Sequence, residues 1–224
     1  NFVVSIFILL FVWEGWDREI IEFITIGSVI EVFLLLTSIP LYYLFASKLF
    51  DVMKKGRLKT FSFILCSLFS MVLIGGIGMR FAANQIRMSV DTPIVEFYDE
   101  YLSHYMIWSG IIGLNIFFGF FQDTIPLKKK LGNTEVGVII FSAIIQGLVA
   151  SLGILESRVG LYSLIAAFIF FLLLNIGQSE KKIRKYPLYV FYNVCLLVVI
   201  LFLLTWSIWF GYFAEPSSIN FGRF

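Results

Sequence analysis

Histidine occurs once in the 224 residues, at His104, and cysteine twice, at Cys66 and Cys195. A single histidine excludes a three-histidine zinc centre. The two cysteines each lie inside an apolar run, which excludes a disulfide framework and a metal-ligand spacing. They read as small apolar residues of a helix bundle. Charge is scarce as well, at 14% of residues, against about 25% in soluble domains. A net charge of +2 gives no reason to invoke a nucleic-acid partner. Neither a Gly-x-Ser-x-Gly elbow nor a His-Glu-x-x-His motif occurs. Gly75-Gly76-Ile77-Gly78 lacks the Lys-Ser/Thr of a phosphate loop and reads as helix packing. The last apolar run, Leu188–Phe213, holds no lysine, so a retinal Schiff base there is excluded.

What the chain does have is apolar length. The apolar residues make up 59% and the aromatic ones 18%, and several runs reach the roughly 20 residues that cross a bilayer. The expected fold is all-α, a polytopic transmembrane bundle of about seven helices in one integral membrane domain, residues 1–224. The runs are Phe2–Trp13 (short, or the tail of a truncated helix), Ile20–Ser47 with a kink at Pro40, Thr60–Asn84, Pro93–Phe121, Val136–Leu155, Leu161–Gly177 and Leu188–Phe213. No cleavage site follows Phe2–Trp13, because Glu14–Glu19 is bulky and charged. Thr92 and Pro93 suit the cap and first residue of a long helix. Its first turns are expected to stand outside the membrane.

The charges set an orientation. Lys48–Lys59, Asp123–Glu135 and Gln178–Pro187 hold twelve of the seventeen Lys and Arg, with four acids. By the positive-inside rule these loops face the cytoplasm, or an equivalent inner compartment, of a multi-pass protein of the cell membrane or an equivalent inner membrane. The N-terminus is then inside and the C-terminus outside. The partners implied are the lipid bilayer and either further membrane subunits or a second copy of the chain.

Candidate chemistry gathers between Gly76 and Trp108. Glu96, Glu100, His104 and Trp108 recur every four residues and share a helix face. Asp99 and Ser103 flank that stripe, and Ser103 is expected on a different face from His104. On the preceding helix Arg80, Asn84 and Arg87 share a face. Counting about 20 residues outward from the basic loops puts Arg80 and His104 at one depth, near the outer boundary. Glu31 falls about one turn below it, with no charged residue within eight positions. An ionisable group at that depth usually faces a bundle interior or a wet cavity. Glu31 is therefore expected to pair with Arg80 or to share a cavity with His104.

Glu31, Arg80, Asn84, Glu96, Glu100 and His104 form the expected ligand-binding set. Asp99, Glu100 and His104 offer oxygen and nitrogen ligands for a divalent metal such as Zn, Fe or Mn. Three functions follow. The first is binding or conducting an ion or small polar solute through an acidic outer vestibule. The second is a membrane oxidoreductase or hydrolase with a carboxylate/histidine metal centre. The third is a non-catalytic subunit of a membrane complex, in which the ion pairs only fix helix register.

Overall fold

The computed structural model describes residues 19–21, 24–25, 29, 33, 40, 43–44, 46–48, 50–51, 57–87, 90, 92–122, 127, 129–176 and 185–216. Phe2–Trp13 and Glu31 lie outside the described residues. Among the described residues three helices are long and apolar enough to cross a membrane, Lys59–Arg87, Asn133–Glu156 and Pro187–Phe210, and Gly160–Asn175 is a shorter apolar helix. Among the described residues the only strands are β1, Glu19–Ile21, and β2, Ile24–Thr25, which pair antiparallel with Ile21 opposite Ile24. This corrects the helical reading of the start of Ile20–Ser47. Ile20, Ile21, Ile24 and Thr25 are β-branched, a composition that favours extended backbone. Described positions further along that run, among them Pro40 and Ser47, are helical.

The chain divides into two compact units, 1–114 and 115–224. In the first, α1 spans Arg57–Arg87. Its 31 residues reach about 46 Å, more than the roughly 30 Å of bilayer hydrocarbon. Thr92 then caps α2, Pro93–Glu96, its hydroxyl accepting from the Val95 amide, with proline at the first helical position. A π-helical stretch, Phe97–Leu102, continues into α3, Ser103–Gln122, whose first part belongs to this unit.

The start of α3 runs antiparallel to α1 along a seam made by glycines. A Cβ at Gly76 would lie 2.8 Å from the Ile107 amide nitrogen, and one at Gly110 would lie 2.8 Å from the Leu73 Cα. Phe69 lies over Gly113. Backbone meets backbone here because neither glycine has a side chain to hold the helices apart.

In the second unit α4, Asn133–Glu156, packs on α6, Pro187–Phe210, and α5, Gly160–Asn175, packs on α6 as well. Glu135 accepts from the Gly132 amide at 2.6 Å, the half of a capping box that remains when the cap is glycine. Gly147 lets α4 approach the Cys195 carbonyl of α6. The turn from α4 to α5 passes through Arg158 in the left-handed region (φ 55°). Arg158 pairs with Glu215, in the segment after α6. From α6, Trp206 Nε1 donates to the Ala214 carbonyl of that same segment at 2.8 Å. The α4–α5 turn and the segment after α6 are thus held together.

Candidate functional site: a polar cluster at the end of the glycine seam

Beyond Gly76 the seam turns polar. The next residue of α1 on the same face is Arg80, and across from it stands His104, with Arg80 Nη1 2.6 Å from His104 Nε2. A guanidinium only donates, so Nε2 must accept. In this contact His104 is therefore the neutral imidazole with its proton on Nδ1.

One turn further along α1, Asn84 faces Asp99. With its amide oriented so that nitrogen meets the carboxylate, Asn84 donates to Oδ2 at 2.9 Å and Oδ1 at 3.3 Å. Arg87 follows, its Nη1 3.4 Å from Asp99 Oδ2 and 3.1 Å from Glu100 Oε1. The depth comparison of Arg80 with His104 thus corresponds to a direct contact. Glu96 is exposed in α2, and Trp108 is half-buried on α3.

The π-helical stretch decides which carboxylate is buried. The Ser103 amide reaches the Tyr98 carbonyl, five residues back, instead of that of Asp99. The Asp99 carbonyl, left over, accepts from the Ser103 hydroxyl. The wider turn breaks the strict four-residue spacing on which the Glu96, Glu100, His104 stripe depends. Asp99 (3% exposed), Ser103 (0%) and His104 (4%) all face inward, while the Glu100 side chain remains a quarter exposed. Asp99 and Ser103, which a four-residue count places beside the Glu96, Glu100, His104 stripe, are thus buried together with His104. A sequence signal existed in Ser103 four residues after Asp99, a spacing that lets a hydroxyl bond back to a helix carbonyl.

Burial pushes the Asp99 carboxyl above its ordinary 3.8, and Glu100 beside it adds to the rise; the charges of Arg80 and Arg87 and the Arg87 hydrogen bond pull the other way. Burial prevails over pairing. Among the described residues no group of three His, Cys, Asp or Glu side chains lies close enough to hold a metal ion. Asp99 and Glu100 converge on Arg87, whereas His104 meets Arg80.

No family model, no curated protein and no solved structure matches this chain. The cluster offers one buried carboxylate in contact with the Arg87 guanidinium and within the field of Arg80, a neutral imidazole one turn deeper, and a rim of Glu100 and Glu96 towards the helix ends.

The second unit holds a polar network that was not singled out in the sequence. Asn175 Nδ2 is 2.6 Å from Asn193 Oδ1, and Tyr189 donates to Asn175 Oδ1 at 2.8 Å. Tyr192 donates to Asn115 at 3.3 Å. These are neutral side chains near helix ends. A charge-based search passes over them, although Asn193 four residues after Tyr189 marks one face.

Proposed function

We propose that the chain is a multi-pass membrane protein, of about seven crossings with its basic loops inside, that binds or conducts an ion at the outer end of the α1–α3 seam. The ion favoured is the proton, taken up by Asp99. The observation that carries this reading is a carboxylate 3% exposed at the end of an apolar helix pair, with Arg80 acting on its charge and Arg87 in contact. Two neighbouring guanidiniums repel a metal cation. A proton needs no further ligands and relieves the burial of charge. The exposed Glu96 and the part-exposed Glu100 form an approach that draws cations from water. The π turn supports the same reading, since such turns recur at functional sites.

Reconstitution tests it. Proteoliposomes carrying a pH-sensitive dye, given a potassium-diffusion potential, are expected to change internal pH faster than protein-free vesicles. Asp99→Asn is expected to reduce the difference about tenfold or more, the scale on which losing a relay carboxylate is felt. Wild-type vesicles no faster than empty ones would reject proton conduction.

A second reading has its own observation. Arg80, Asn84 and Arg87 each meet a partner across the seam, which is what a register lock in a subunit of a larger membrane complex requires. A fixed set of co-purifying membrane subunits would favour it.

A further inference from the structure

A cavity of about 700 Å³ lies in the first unit, far along α1 from the polar cluster. At one end its lining is polar and carries both signs, with Asp51 from the helical stretch before α1 and Lys59 and Thr60 from the first turns of α1. Along α1 the lining is mainly apolar, with the Ser67 and Ser70 hydroxyls part-way, and ends at Met71, Ile74 and Leu114. Phe50 and Phe63 meet edge to face, ring centroids 5.8 Å apart, and join the two helical segments that form the walls. From Lys59 to Ile74 is about 22 Å of helix, enough to run from the membrane surface through the roughly 15 Å of one leaflet's hydrocarbon.

We propose that this groove is a binding site for one phospholipid with a primary-amine headgroup, of the phosphatidylethanolamine class. The acyl chain lies along the apolar wall towards Ile74 and Leu114. The phosphate meets Lys59 and the ammonium meets Asp51. The mouth selects the headgroup by charge. A fatty acid or phosphatidylglycerol brings an anion for Lys59 but no cation for Asp51. A choline headgroup carries no N–H to donate to that carboxylate. The site rests on α1 lying in a membrane and is independent of what Asp99 does.

The full chain, purified in detergent, is mixed with equal amounts of phosphatidylethanolamine, phosphatidylcholine and phosphatidylglycerol of identical acyl chains. Lipid retained through stepwise delipidation is counted by native mass spectrometry. One phosphatidylethanolamine per chain is expected, held about tenfold or more over the other two, the factor that one charge-assisted hydrogen bond supplies. Asp51→Asn should erase the preference over phosphatidylcholine, and Asp51→Lys should turn it towards phosphatidylglycerol. Met71→Trp, which fills the apolar end, should lower retention of all three. Asp51 is exposed, so its variants are expected to fold, and gel filtration checks this. Retention in proportion to the added mixture overturns the proposal, as does an Asp51→Lys chain with the wild-type preference. Neither result bears on proton movement through Asp99, which the vesicle experiment reads separately.

Discussion

Replacing Arg80 by Met is expected to lower the unfolding free energy of the solubilised protein by about 2–3 kcal/mol, as for a lost hydrogen bond to a charged group that leaves a buried acceptor behind. Two consequences of the structure add up to this loss. His104 is buried, and its Nε2 would lose the guanidinium donor 2.6 Å away. Asp99 would lose one of the two positive charges that offset its burial. His104→Leu removes the stranded acceptor. The double variant Arg80→Met/His104→Leu should therefore lose less than the two single variants together, with a coupling of about 0.5–3 kcal/mol. Equilibrium unfolding in mixed micelles measures all three. Strict additivity would mean that the contact contributes nothing.

The second large effect is expected on the seam. Gly76→Val puts a branched side chain where a Cβ alone would stand 2.8 Å from a backbone nitrogen of α3 and 2.9 Å from the Ile107 side chain. The helices must part, at a cost of about 1–3 kcal/mol or more for overpacking. Gly110→Val meets the backbone of Leu73 in the same way. Gly78 supplies the control, because a Cβ there meets nothing within 4 Å. Gly78→Ala should be neutral or stabilising by up to about 1 kcal/mol, the ordinary gain of alanine over glycine inside a helix. Equal losses at positions 76 and 78 would mean that the seam is not a close contact. Parting the helices should also separate Arg80 from His104, so Gly76→Val and Arg80→Met should not add.

Apolar periodicity and length made the helices legible. Thr92 and Pro93 mark the start of the second long helical stretch, and the three long apolar spans stand where the runs suggest. The polar face of α1 was legible too, since Arg80, Asn84 and Arg87 lie at helical spacing and all face the seam. The assignment on the facing helix was not. A four-residue count assumes α-helical turns, and the π turn at Phe97–Leu102 moves Asp99 into the buried position. No local composition announces such a turn. It coincides with a tertiary contact, Asp99 buried against Asn84 and Arg87, while the Ser103 hydroxyl satisfies the carbonyl that the wider turn leaves over. The short strand pair was missed for a similar reason. A run of Ile, Phe and Thr is equally apolar as helix or strand, and only the β-branching of Ile20, Ile21, Ile24 and Thr25 separates the two.

The protonation state of Asp99 is where the proton-site reading is most exposed to refutation. A folded-state pKa above 3.8 means that the folded protein holds this proton more tightly than the unfolded chain. Acidification through that raised pKa should therefore stabilise the fold, with the gain complete below 3.8 and lost as pH rises through the raised value. The direct measurement is an infrared titration of the carboxyl C=O band, wild type minus Asp99→Asn. A protonated-carboxyl band that persists above the ordinary aspartate range, and is absent from the Asn variant, is the expected result. A difference spectrum showing Asp99 ionised down to 3.8 or below would contradict it, because an aspartate held that firmly as an anion is a structural ion-pair partner and not a proton site.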